Sequence, residues 1–187
     1  MVLTPSVPVT MPDAPRAWFG CLHCYNSGRL VGHWFDATDA ADVDLAAVHT
    51  GSGVAWGRAG CEEILALDLD GEWPIRAEID TVTAAKWAEV HDEVTPTLWP
   101  AFCTLARSEH ITDPEDVDVR AFIDRYRGEW ESWRDYVENL VDDLSLFDAL
   151  PEDLRSYVDL DKYGRDLAHG YTVEPTGDGG VYAFEDS

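Results

Sequence analysis

The stretch 132–147, SWRDYVENLVDDLSLF, decides how the chain reads. Its apolar residues Trp133, Tyr136, Val137, Leu140, Val141, Leu144 and Phe147 recur at spacings of three and four. That period predicts a helix over 132–147 with one stripe seated on a core. Ser132 followed by Asp135 is a helix-start pair, placed to satisfy N–H groups that the first turn leaves without partners. Away from the stripe stand Asp135, Glu138 and Asp142, with Glu131 just upstream and Asp143 at the margin. At ~1.5 Å of rise per residue these carboxylates repeat every ~4.5–6 Å along one side. Like charges so spaced repel, and only Arg134 is near enough to offset them. A solvated helix face accounts for most such stripes. The rest of the chain is charged the same way, which argues for more.

Beyond this helix, 150–154 reads as a break and one short turn, and 159–169 as a further short helix stopped by Gly170. Residues 171–174 and 181–184 read as two strands around the turn 176–180. Upstream, Trp87, Val90 and Val94 seat one helix, leaving Lys86, Glu89, Asp92 and Glu93 outside. Leu98, Phe102 and Leu105 seat a second, with Thr95-Pro96 as its start. Asp113-Pro114 begins a third, because Asp caps well and Pro is tolerated in the first turn. Val119, Phe122, Ile123 and Tyr126 supply its inner face. Nearer the N-terminus, 17–25 and 30–35 read as a β-hairpin about Asn26-Ser27-Gly28, and 39–49 as a short acidic helix. Residues 50–60 read as a glycine-rich loop, and 62–70 as a strand whose Leu65, Leu67 and Leu69 face is strongly buried.

The expected class is α+β, with three small domains in series. A flexible leader covers 1–15, an α+β domain 16–79, a helical middle domain 80–120 and a second α+β domain 121–187.

The formal net charge is −24, from 37 acidic and 13 basic residues, and only Lys86 and Lys162 are lysines. Such a balance argues against binding DNA, RNA or an anionic membrane, each of which needs cations to meet phosphate. Duplex DNA carries one charge per ~1.7 Å of axis, so 24 charges match roughly 40 Å of duplex, or about twelve base pairs. A salt-adapted or simply acidic surface explains the same composition. No run is long and apolar enough for a membrane span, and the first residues lack the basic and apolar parts of a secretory signal. The chain is therefore expected in the cytoplasm with its cysteines reduced.

Cys21-Leu22-His23-Cys24 has the spacing of a zinc half-site, but Cys61 and Cys103 stand singly rather than as a second pair. On an extended strand Cys21 and Cys24 also point to opposite faces, so no metal is expected. Asp68-Leu69-Asp70-Gly71-Glu72 lacks most ligands of a calcium loop. None of the six histidines sits in a metalloprotease or triad-like pattern, and no phosphate-cradling glycine motif occurs, so no catalytic residue and no cofactor are expected.

Several stretches resemble the ArdA family of antirestriction proteins, and the likeness runs from Trp18 to Phe184. Cys21-Leu22 and then 25–36, YNSGRLVGHWFD, resemble the family's opening hairpin. Glu62-Glu63 leading to 66–71, ALDLDG, resembles its acidic strand, and 136–140 its third-domain helix. Residues 150–154, 157–159 and 163–167 resemble its closing motifs. The likeness departs at Leu67, at Cys24, and in a longer leader and 50–60 loop. It implies an elongated, curved, three-domain mimic of bent B-form DNA. It further implies a homodimer whose contact lies within 121–130, here Ala121, Tyr126 and Gly128. The implied partner is the methyltransferase core of a type I restriction–modification enzyme, whose DNA groove the protein would occupy, sparing incoming phage or mobile-element DNA. On that reading Glu131, Asp135, Glu138, Asp142 and Asp143 stand in for phosphates. Glu89, Asp92, Glu93, Asp113, Glu115, Asp116 and Asp118 continue the face. Two rival readings are an acidic adaptor for another basic nucleic-acid-binding protein or regulator, and a metal-dependent hydrolase using Cys21, Cys24 or clustered Asp.

Overall fold

A computed structural model describes residues 14–155 and 157–186, so most of the expected leader lies outside the described residues. The chain gathers into two compact units, one ending at Val119 and the other beginning at Arg120. The fold is mixed α and β, with a three-stranded antiparallel sheet in each unit.

The first unit runs β1 (Arg16–Cys21), α1 (Leu22–Asn26), β2 (Gly32–Asp36), a 3-10 stretch Ala37–Asp42, α2 (Leu45–Val48), α3 (Trp56–Ala59), β3 (Ile64–Asp70), α4 (Thr81–Val94), α5 (Trp99–Ser108) and a 3-10 turn Pro114–Asp116. Its sheet has the order β2-β1-β3. The expected hairpin is present as the β1–β2 pair, but its first strand stops at Cys21 instead of running to Tyr25. Residues 22–26 form one helical turn, closed by Gly28 in the left-handed region at φ 75°. There the Arg29 N–H donates to the Cys24 carbonyl and the Gly28 N–H to that of Tyr25, each at 2.9 Å. This is the paired bonding of a glycine-terminated helix, open to glycine because it has no Cβ. Cys21 and Cys24 therefore do not alternate along a strand.

Gly32 lets the hairpin close over Trp18. A Cβ there would lie 2.4 Å from the Phe19 carbonyl oxygen and 2.6 Å from the Trp18 ring. The leucine face of β3 is only half-buried, contrary to expectation, and the buried residue of that strand is Ala66. The cause is a bulge. Trp18 pairs with Asp68 and Phe19 with Ala66, leaving Leu67 unpaired, so Ala66 turns to the Phe19 side and the simple alternation fails.

The helix expected over 39–49 is broken in two, because the Asp44 carboxylate accepts the Ala47 N–H at 2.8 Å and caps a new helix. The 50–60 loop likewise contains α3. Helix α4 is seated as expected by Trp87, Val90 and Val94. Asp80 caps it by accepting the Thr83 N–H at 2.6 Å, and that bond is the main reason its carboxyl titrates below the usual range. Asp80→Ala is expected to destabilise the first unit by about 1 kcal/mol at neutral pH. The contribution that depends on charge is present above the ordinary carboxylate value of about 3.9 and is lost as pH falls through Asp80's lower folded value. Thermal melts of wild type and variant from neutral to acid pH check this, and a gap that widens on acidification would contradict it.

Helix α5 begins at Trp99 rather than at Thr95-Pro96, since Thr95 takes φ 79° and ends α4 with its N–H on the His91 carbonyl. Trp99 is fully buried, stacks on Phe102 at 5.3 Å, meets His91 edge-on at 5.1 Å and donates its indole N–H to the Glu72 carbonyl at 2.7 Å.

From Val119 the chain continues through α6 (Val119–Arg125), β4 (Tyr126–Trp130), α7 (Trp133–Asp143), α8 (Glu152–Arg155), α9 (Leu160–Leu167), a 3-10 turn Ala168–Gly170, β5 (Tyr171–Pro175) and β6 (Val181–Glu185). The single helix expected from Asp113 through Tyr126 is not formed. Its start is one 3-10 turn, Ile123 is 48% exposed, and Tyr126 opens a strand. Pairing with β6, Tyr126 opposite Phe184 and Trp130 opposite Val181, draws 126–130 into the sheet. The sheet order is β4-β6-β5, so β4 is an edge.

Helix α7 starts as expected, with the Ser132 hydroxyl accepting the Asp135 N–H, but it stops at Asp143. Ser145 takes φ 50°, its N–H bonds the Asp142 carbonyl at 3.0 Å, and the Leu146 N–H bonds that of Val141 at 3.1 Å. This left-handed stop throws Leu144 out of the stripe to 58% exposure, while Phe147 folds back onto the core. Tyr136, Val137, Val141 and Ala183 form the buried cluster, flanked by Trp133, Leu160, Tyr163 and Tyr171. Asp159 caps α9 through the Lys162 N–H at 2.9 Å. Among the described residues no helix is long and apolar enough to cross a membrane.

Candidate functional site

The acidic residues take their places from the apolar ones opposite them. On α4, burial of Ala84, Trp87, Ala88, His91 and Val94 leaves Glu89, Asp92 and Glu93 in solvent. The following 3-10 turn and its flanks expose Asp113, Glu115, Asp116 and Asp118. In the second unit, burial of Tyr136, Val137 and Val141 turns Asp135, Asp142 and Asp143 outward, with Glu131 exposed just before the helix.

These groups are not equivalent. Lys86 binds Glu115, whose hydrogen bond and charge hold the ammonium above its ordinary titration range. Arg134 binds Glu138 at 2.7 Å and Asp161 at 2.9 Å, and Glu138 is half-buried. Asp113 accepts the Glu115 N–H at 3.0 Å, and Asp135 exchanges hydrogen bonds with Ser132. Asp92 lies 3.2 Å from the His91 ring. Among the described residues, Glu89, Glu93, Asp116, Glu131, Asp142 and Asp143 have no basic group within ion-pair distance. Uncompensated carboxylates in water are the ones able to meet cations of a partner.

Ala121 is exposed on α6. Tyr126 stacks on Phe122 at 5.8 Å and lies 5.7 Å from Phe184, which leaves it half-buried. Gly128, at φ 110°, stands where the β4–β6 register shifts.

Sequence reasoning missed one cluster. Cys21 at the end of β1, Cys24 in α1, His49 after α2 and Cys61 after α3 present their ligand atoms within 4.8 Å of one another, all buried. Burial and the adjoining Cys21 and Cys24 thiols push the Cys61 thiol up to about 12. The C-x2-C spacing was the available signal; the strand assigned to it hid its meaning.

Fold and surface together define a mixed α/β protein with acidic helix faces. The model of the antirestriction protein family ArdA matches residues 17–182. The chain belongs to the ArdA family of antirestriction proteins. That family is one of inhibitors rather than a known family of enzymes, and membership of it suggests interaction with restriction–modification enzymes. No curated protein matches the chain.

Proposed function

We propose that this protein blocks type I restriction–modification enzymes by mimicking DNA, its carboxylates occupying the groove of the methyltransferase core in place of phosphates. The carrying observation is that, among the described residues, Glu93, Asp116, Glu131, Asp142 and Asp143 are exposed with no basic group in ion-pair range, in a chain of net charge −24. On this reading the segments 16–79, 80–120 and 121–187 each supply a length of acidic surface. The dimer forms at 121–130, where β4 is an edge strand of its sheet and a second copy can approach it. Binding needs no cofactor, and the product of the contact is protection of incoming DNA.

A competition titration tests this. A type I methyltransferase core holding fluorescent cognate duplex is titrated with the protein at ~50 and ~200 mM salt. Displacement is expected at sub-micromolar protein at the lower salt, and the protein's own affinity for the core, corrected for the weaker hold on the duplex, should fall at the higher salt. Folded protein that displaces no duplex at either salt would favour the acidic adaptor instead.

A further inference from the structure

We propose that Cys21, Cys24, His49 and Cys61 bind one zinc ion per chain, in a structural site that fastens 22–31 and 44–61 to the end of β1. A tetrahedral zinc holding sulfur at about 2.3 Å and imidazole nitrogen at about 2.0 Å sets its ligand sulfurs about 3.8 Å apart and sulfur from nitrogen about 3.5 Å. Here Cys24 Sγ lies 3.8 Å from Cys61 Sγ and 3.6 Å from His49 Nε2. All four ligand atoms lie within 4.8 Å of one another.

The imidazole is also oriented as a ligand. His49 Nδ1 lies 2.8 Å from the Leu45 carbonyl, which can only accept, so Nδ1 carries the proton and Nε2 presents its lone pair to the sulfurs. Trp56 covers the ring at 6.3 Å. Cys21 and Cys24 are 0% exposed, His49 5% and Cys61 6%, so the centre is closed to further ligands. Closed sets of three thiolates and one imidazole suit structural zinc.

The local fold supplies the reason for such a site. Helices α2 and α3 have four residues each, too short to hold together alone, and they bracket a loop with Gly51 and Gly53 in left-handed conformations. As thiol hydrogen bonds, the Cys24 contacts with Cys61 and with the His49 ring would be weak. Binding balances as one zinc ion gained and three thiol protons released to solvent, with the imidazole neutral, leaving the site with a net charge of minus one. Cys103, buried in α5 and outside the cluster, is the internal control.

The test uses the full chain, purified without chelator, with metal measured by atomic emission and with cobalt(II) exchanged for zinc. One zinc per chain is expected in wild type and in Cys103→Ser, and loss of bound zinc in Cys24→Ser and Cys61→Ser. The cobalt form of the wild-type chain should show thiolate-to-metal charge transfer and the strong visible bands of a tetrahedral centre, a readout that does not depend on any variant folding. Chelation should lower the unfolding midpoint. Folded wild-type protein that takes up no stoichiometric metal from excess zinc overturns the proposal. So does a cobalt spectrum without thiolate bands, or a Cys24–Cys61 disulfide found by mass spectrometry in protein kept under reducing conditions.

Discussion

Replacing Glu131, Asp142 and Asp143 together by Gln, Asn and Asn is expected to weaken binding to the restriction enzyme by ~10²-fold, at most about 1 kcal/mol per charge. Each replacement alone is expected to weaken it by ~5-fold or less, because a distributed electrostatic surface has no single indispensable member. Among the described residues none of these three has a basic group in ion-pair range, whereas Asp135 belongs to the helix start and Glu138 to the Arg134 pair. Removing Asp142 and Asp143 relieves their repulsion of each other and of the helix dipole at the end of α7, which offsets the loss of Glu131 before its start, so the variant should unfold close to the wild-type temperature. Its salt dependence should also be shallower, because fewer carboxylates are left for salt to screen. Competition titrations at several salts, with thermal melts alongside, measure all of this. One single variant that abolished inhibition while remaining folded would replace distributed mimicry with a specific contact.

Trp99→Ala is expected to destabilise the first unit by about 3–5 kcal/mol. The indole is 0% exposed and packs on Phe102 and His91, so its removal leaves a cavity with walls on two helices. It also strands the Glu72 carbonyl that now accepts the indole N–H. Trp99→Phe keeps most of the packing and loses the hydrogen bond, so it should cost about 1 kcal/mol. Denaturant melts of the two variants separate the contributions. A Trp99→Ala protein as stable as Trp99→Phe would show that the ring is not part of the core of that unit.

What the sequence determined alone was whatever local period and local chemistry decide. The stripe through Tyr136, Val137 and Val141, the caps at Ser132 and Asp159, the α4 face through Trp87 and Val94, and the hairpin at 171–185 all follow from residues within a turn or two of each other. So does the outward placing of the carboxylates, because the apolar face dictates the polar one. The family, too, was legible in short motifs. Tertiary structure decided wherever a distant partner competes with the local signal. Tyr126 falls in step with the helical positions Val119, Phe122 and Ile123, yet opens the strand 126–130 because β6, 50 and more residues later, offers it a sheet edge. Leu144 leaves its stripe because Ser145 adopts a left-handed turn that no apolar pattern announces. Ala66, not the leucines, is buried because a bulge opposite Trp18 and Phe19 shifts the register. The cysteine–histidine cluster depends on tertiary structure most of all. Cys21 and Cys24 are three positions apart in sequence, but His49 and Cys61 join them only where the chain folds back across separations of 25 and 37 residues from Cys24, a closure that no spacing rule encodes.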